Sequence, residues 1–246
     1  MNKKINFVFG IVFLLLISCV SAGMLIPADD ESNAPSTTPI VDNPWGFVRV
    51  DIIHYEKGKN IVNTESVVDI CYGLTGVKWN TLPVSYYINP KNPQGLSQGF
   101  ITSAISTSAE TWDSATTPEL FNDTYKVDSS VRYGKQDFKN TLAFGSTGRG
   151  IIAVTRYWYY PSTMQLVEFD ILFNTRYKWG NAALNPSLMD LQNIATHELG
   201  HGVGLDDIYT SSCNQVTMYG YSTNGETIKR TLETPDVTGL QTIYGP

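Results

Sequence analysis

The clearest periodicity along the chain begins near residue 100, where Phe100, Ile101, Ala104, Ile105, Ser108 and Trp112 recur at helical spacing and line one face. Ser97 stands just ahead as a side-chain cap, so a helix is predicted from there. Before it, Leu82-Pro-Val-Ser-Tyr-Tyr-Ile88 reads as a short strand ended by the turn-forming pairs Asn89-Pro90 and Asn92-Pro93. Three β-rich stretches follow: Tyr125 to Tyr133, Ile151 to Tyr160, and Leu166 to Phe173, with Gly145, Gly148 and Gly150 marking the turn before the second. A second helix is predicted over Leu188 to Gly202, where Ser187 and Asp190 form a capping-box pattern and Gly202 and Gly204 supply the stop. A last helix runs from Pro235 to Tyr244 with Thr234 as its cap. Nearer the start, Phe47 to Tyr55 and Ile61 to Ile70 are β-rich on either side of Glu-Lys-Gly-Lys-Asn, the pattern of a hairpin. Helix, strands, helix, helix implies an α+β domain with a mixed sheet.

The first residues add a different signal. Lys3 and Lys4 precede an apolar run from Phe7 to Ile17 and the small residues Ser18 to Ala22, the composition of an export signal. Val20-Ser21-Ala22 suits cleavage before Gly23, whereas Leu16-Ile17-Ser18-Cys19 resembles a lipobox that would leave Cys19 lipid-modified. Free secretion and surface anchoring through Cys19 are therefore both open. The chain divides into a signal (1–22), a tether rich in Pro, Ser, Thr and acids (23–45), a short β-rich, pro-like segment (46–76) and one main domain (77–246). A net charge of −6, without a long basic run, argues against nucleic acid as a partner. Outside the signal the cysteines are Cys71 and Cys213, a pair that an oxidising exterior would join unless both stay as thiols. A monomer is expected.

The chemistry is concentrated in residues 196 to 207, THELGHGVGLDD. Four positions apart on a helix, His197 and His201 leave the same face one turn apart and can share one small cation. Glu198 points slightly off that face, where its carboxylate can take a proton from an attacking water rather than bind the metal. Catalytic zinc needs a third protein donor and an open position. Gly204 permits a sharp turn that returns Asp207 beneath the two imidazoles, completing H-E-x-x-H-x-x-G-x-x-D. Eleven residues on, Met218 lies in Val-Thr-Met-Tyr-Gly-Tyr, where a tight turn would set its thioether as an apolar floor.

With these residues the chain, from about Val77 to Tyr244, resembles the metzincin zinc endopeptidases and, among them, the matrixins. Lys78-Trp79, Pro-Val-Ser-Tyr-Tyr-Ile, Gly150-Ile-Ile-Ala-Val-Thr, Val167-Glu-Phe-Asp-Ile-Leu-Phe-Asn, Tyr177-Lys-Trp and the closing Thr234-Pro-Asp-Val-Thr-Gly-Leu carry the likeness. The resemblance implies a zincin fold with a twisted mixed five-stranded sheet, an active-site helix and a C-terminal helix. It also implies one catalytic zinc on His197, His201 and Asp207, Glu198 as the catalytic base, Met218 as the Met-turn, and proteins or peptides as substrates bound in extended form. The edge strand near Ile151 to Arg156 would pair with the substrate backbone. Three features depart from the animal enzymes: Asp207 stands where typical matrixins have histidine, no histidine cluster exists for a second zinc, and calcium sites are unassigned. A propeptide thiol occupies the zinc in those enzymes; Cys71 lies roughly where such a switch would sit, but Asp69-Ile-Cys-Tyr-Gly lacks the switch motif, and a disulfide with Cys213 would preclude the role.

His54 is read as an exposed or hairpin histidine rather than a ligand, and the cluster Tyr157-Trp-Tyr-Tyr160 as either groove lining or edge-strand and core packing. Tyr219 and Tyr221 are near enough in sequence to the metal turn to be weighed as oxyanion partners. The expected function is an exported zinc-dependent endopeptidase. The alternatives are a non-catalytic, zinc-containing surface module, which has no need of Glu198, and a metal-dependent hydrolase of another bond.

Overall fold

The computed structural model describes residues 40–42, 46–58 and 70–246. The export signal, Cys19, most of the tether, and the second arm of the expected hairpin up to residue 69 lie outside the described residues. In chain order the elements are β1 (Ile40–Asp42), β2 (Phe47–Glu56), β3 (Gly73–Leu74), β4 (Tyr86–Ile88), α1 (Gln98–Asp113), β5 (Lys126–Val127), β6 (Asn140–Gly145), β7 (Ile151–Tyr160), β8 (Gln165–Asn174), β9 (Trp179–Gly180), β10 (Met189–Asp190), α2 (Leu191–Gly202), β11 (Leu205–Asp206), β12 (Tyr221–Ser222) and α3 (Thr234–Tyr244).

The main sheet runs β1-β2-β7-β8-β6-β4-β5, and β12 lies against the other side of β2. Strands β4, β5, β6 and β8 are parallel, whereas β7 runs antiparallel to both β8 and β2. The five-stranded expectation is thereby corrected to an eight-stranded sheet. β4 to β8 form a run of five, and the sheet grows past β7 because β2 takes up the open hydrogen-bonding edge there. The long β stretch expected over Tyr125 to Tyr133 shrinks to the two residues of β5.

The capping residues also shift. Asp190, not Ser187, caps α2 by accepting from the Asn193 amide at 2.8 Å. Ser187 turns back instead to donate its hydroxyl to Asn185 at 2.8 Å. Glu233, not Thr234, caps α3, in a reciprocal box with Asp236.

Helix α2 is buried on nearly every side, wedged between α1 and the sheet. Trp112 of α1 donates its indole N–H to the Thr196 carbonyl at 2.7 Å, and Ser108 donates to the Gln192 carbonyl at 3.0 Å. Beyond its end, the Trp79 indole N–H takes the Gly202 carbonyl at 2.8 Å. Ile194, Ala195 and Leu199 fill the core with Phe169, Ile171 and Met218, all buried. A helix locked this way presents its polar groups in a fixed place, and buried polar groups of that kind must find partners.

Candidate metal centre and cleft

Both α2 histidines have their ring orientation set from outside the helix. His197 Nδ1 lies 2.7 Å from the Thr217 carbonyl, and His201 Nδ1 lies 3.0 Å from the Leu205 carbonyl. A carbonyl only accepts, so each Nδ1 carries the proton and, in the neutral rings, each Nε2 keeps a bare lone pair. Those two Nε2 atoms face each other at 3.1 Å. Asp207 Oδ1 completes the set at 3.2 Å from His197 Nε2 and 3.5 Å from His201 Nε2, but receives no well-aligned hydrogen bond. Two ring nitrogens and one carboxylate oxygen thus lie 3.1 to 3.5 Å from one another, a group able to hold one cation.

The turn behind this convergence depends on Gly204, whose φ is +97°, and a Cβ there would sit 2.3 Å from the Val77 carbonyl oxygen. β11 then pairs antiparallel with β3, fixing Leu205 and Asp206 just before Asp207.

The electrostatics follow from burial and mutual proximity. Burial lowers His197 to about 4, against the pull of Asp207. Burial works in the same direction on His201, but the Asp207 carboxylate outweighs it and raises that ring to about 9. Burial opposes the charge on Asp207, yet the two histidines hold its carboxyl well below the usual range. In the absence of a cation, a proton shared in this cluster neutralises the facing lone pairs.

Glu198, fully buried, has its carboxyl raised to about 7, by burial first, with His201 and a hydrogen bond from Thr155 acting the other way. Thr155 of β7 donates its hydroxyl to Glu198 Oε2 at 2.6 Å. A carboxylate poised near neutrality beside the three donors suits proton transfer.

The expectation for His54 is overturned. It is fully buried, its ring centroid lies 3.9 Å from that of His197, and its Nδ1 is 3.2 Å from Glu198 Oε1. His54, His197 and Glu198 offer donor atoms within 4.8 Å of one another, a second group that shares His197 with the first. β2 brings it there by pairing along β7 from Val48 opposite Tyr159 to Tyr55 opposite Ile151. On its other side β2 runs parallel to β12, with Tyr55 N–H donating to the Gly220 carbonyl at 3.3 Å and Lys57 N–H to the Ser222 carbonyl at 2.9 Å. The cue was legible: Val48, Val50, Ile52 and His54 alternate along one face of the strand, and the first three are plainly apolar.

Three further side chains support the site without a signal in the motif. The Tyr209 hydroxyl donates to Asp207 Oδ2, and Lys229, fully buried, donates to the Tyr221 carbonyl at 2.6 Å and to Glu226 at 2.7 Å. Asp236 of α3 accepts from the Thr217 and Met218 amides at 2.9 and 3.1 Å, holding the methionine turn. Met218 lies beneath α2, so close that a Cβ at Gly200 would meet its sulfur at 2.4 Å. Tyr219 and Tyr221 pack in a small second cluster with Tyr55. Of the aromatic stretch on β7, Tyr157 and Trp158 are core residues, while Tyr160 meets Phe47 of β2 edge-on at 4.6 Å. Cys71 and Cys213 are joined in a disulfide with a Cα separation of 5.4 Å.

Comparison with known proteins agrees with this arrangement. Residues 78–245 match the family model for matrixins, and the chain belongs to that family. Matrix metalloproteinase-16 of Homo sapiens is 28% identical over 184 residues, covering 71% of this chain and 28% of that protein. Karilysin of Tannerella forsythia is 26% identical over 178 residues, 71% of this chain and 34% of its own. Matrix metalloproteinase-C of Caenorhabditis elegans is 26% identical over 190 residues, with 74% and 31% covered. The chain thus spans about a third of the length of these relatives.

Proposed function

We propose that this chain is an exported zinc-dependent endopeptidase in which His197, His201 and Asp207 hold one zinc ion and Glu198 serves as general base. The convergence of two bare imidazole nitrogens and one carboxylate oxygen carries the reading. A tetrahedral ion with bonds of about 2.0–2.1 Å sets its donors about 3.3 Å apart, and the three separations here are 3.1, 3.2 and 3.5 Å. The matrixin family supports the same metal and reaction class. For export, the support is the basic-apolar-small pattern of the first residues and a disulfide suited to an oxidising compartment.

When bound, zinc would polarise the scissile carbonyl and make the attacking water more acidic. The remaining work falls to the chain. Thr155 anchors Glu198 through Oε2, and Oε1, which faces His54 Nδ1 at 3.2 Å in this arrangement, is the oxygen to receive the proton from water and return it to the departing amine. β7, expected from the sequence to be an edge strand open to a substrate backbone, is instead paired with β8 on one side and β2 on the other, so an extended peptide pairs with it only where β2 gives way.

The test is casein cleavage by the native chain and by a His54→Ala chain, since β2 lies in the cleft. Cleavage is expected to stop with a chelator, return with zinc, and fall by at least about 100-fold in Glu198→Gln at unchanged zinc content. Undiminished cleavage by the Glu198→Gln protein overturns the assignment.

A further inference from the structure

We propose that a groove away from the metal centre, lined by Trp79, Val84, Tyr87, Phe138, Asn140 and Gln165, docks an acidic segment with apolar side chains belonging to the protein substrate. The inference rests on the endopeptidase reading above and adds to it the class of protein that is held. The groove encloses about 350 Å³. Its Gln165 to Val167 wall lies four to six positions before Ile171, the β8 partner of Thr155, which holds Glu198, so about 13–20 Å of strand separates the two sites.

Charge gives the first observation. Lys126 of β5 and Lys139, just ahead of β6, hold their ammonium groups 5.2 and 5.4 Å from the centre of the Tyr87 ring, and Lys126 also donates to the Tyr87 hydroxyl at 3.3 Å. Lys78, exposed, adjoins the groove through its backbone bridge to Gln165. Among the described residues none of these three lysines is ion-paired, although the chain as a whole carries a net charge of −6. Two ammonium groups gathered on one ring repel each other, and an incoming carboxylate relieves that repulsion.

The backbone gives the second. Among the described residues, Phe138 and Met164 are the non-glycines with positive φ, at 60° and 55°. Both are apolar, both are exposed, by 63% and 39%, and both border the groove, Met164 as the residue before Gln165. A bulky side chain is costly in that region, where glycine is at home. Phe138 is kept there by buried Glu168, whose Oε2 accepts from the amides of Asp137 and Phe138, and Met164 by the Tyr160 carbonyl, which accepts its amide at 2.8 Å. A conformation held at such cost to put apolar side chains in solvent marks them as contacts for a partner.

The two observations select one occupant. The lysines take carboxylates, and the exposed phenylalanine and methionine take apolar side chains. A polypeptide carries both kinds of group, whereas an acidic polysaccharide carries the first alone.

The probe is a fluorescein-labelled dodecapeptide repeating Glu-Glu-Phe, followed by fluorescence anisotropy on the native full chain, with a Lys-Lys-Phe repeat as control. The acidic peptide is expected to bind, to weaken as salt is raised, and to lose at least about 10-fold in affinity in the Lys126→Glu, Lys139→Glu double variant. Phe138→Gly should also cost about 10-fold, yet unfold at no lower urea concentration than the native chain, because glycine accepts the φ of 60°. With casein, an acidic protein, as substrate, the same variants should raise KM by a similar factor at unchanged kcat.

Equal binding of the acidic and basic peptides, or native affinity in both variants, overturns the proposal. Displacement of the peptide by polygalacturonate but not by unlabelled peptide would give the groove to a polysaccharide and overturn it too. An unchanged casein KM in variants that have lost the peptide would show that the groove does not serve the substrate, again against the proposal. If no chain cleaves casein while the acidic peptide binds as described, the endopeptidase reading falls and the docking of an acidic polypeptide stands.

Discussion

The phenolic hydroxyl of Tyr209 donates to Oδ2 of Asp207 across 2.8 Å, while Oδ1 of the same carboxylate faces His197 and His201. One oxygen is engaged by the phenol while the other stays turned toward the two imidazoles. The contact is tight, because Gly220 leaves room for the tyrosine ring where any Cβ would lie 2.5 Å from it.

Tyr209→Phe removes that steering and little else. Zinc affinity is expected to fall 10- to 100-fold, the usual effect of losing a partner behind a metal ligand, with the unfolding temperature of the metal-free protein nearly unchanged. Chelator competition reads the first quantity and thermal unfolding the second; an unaltered affinity would mean that Asp207 is held by the backbone alone.

Gly204→Ala places a methyl 2.3 Å from the Val77 carbonyl oxygen at a backbone angle that L residues rarely adopt. A destabilisation of about 3 kcal/mol or more is expected by urea unfolding, together with loss of metal, since the same turn presents the Leu205 carbonyl to His201. A variant as stable as the native chain would show that the turn can relax.

How far the sequence revealed this arrangement depends on the distance over which each feature is decided. His197, Glu198, His201, Gly204 and Asp207 span one helix end and one turn, so helical period and the need for a glycine suffice to place them near one another. β6 was not among the expected strands, Gly145 at its end reading as a turn residue; in the fold, Asn140 at its start is a cross-strand bridge, donating to the Ser85 carbonyl and accepting from the Phe169 amide. His54 meets Glu198 from 144 positions away, a pairing chosen by which sheet edge was open rather than by local pattern. Lys229 was likewise invisible, its burial being set by the Tyr221 carbonyl and Glu226.

Glu168 and Asp170, two apart on β8 and both buried, have their carboxyls raised to about 8, by burial first and for Asp170 by Glu168 as well. The unfolded chain ionises them near 4, so the folded state binds more protons between those values. Their contribution is complete below the unfolded value and is lost as pH rises through about 8. The urea midpoint is expected to drop between about pH 6 and pH 9, and to drop less in a Glu168→Gln, Asp170→Asn double variant. Equal slopes in the two proteins would assign the dependence elsewhere.

Reduction of Cys71–Cys213, which closes a span of 142 residues, is expected to lower stability by about 2–5 kcal/mol, chiefly by freeing the unfolded chain. The Cys71→Ser, Cys213→Ser pair should match the reduced protein in urea unfolding. If reductant leaves the midpoint of the native chain in place, the crosslink contributes nothing.

The same crosslink sets what a single hydrolytic nick can detach. A break between Gly58 and Cys71 leaves β3 stapled to the body of the molecule and cuts β2, with the β1 paired to it, from the rest of the backbone. Before the nick, that strand meets its groove as an intramolecular neighbour, at an effective concentration no dilution can reduce; afterwards the encounter is bimolecular and weakens with volume.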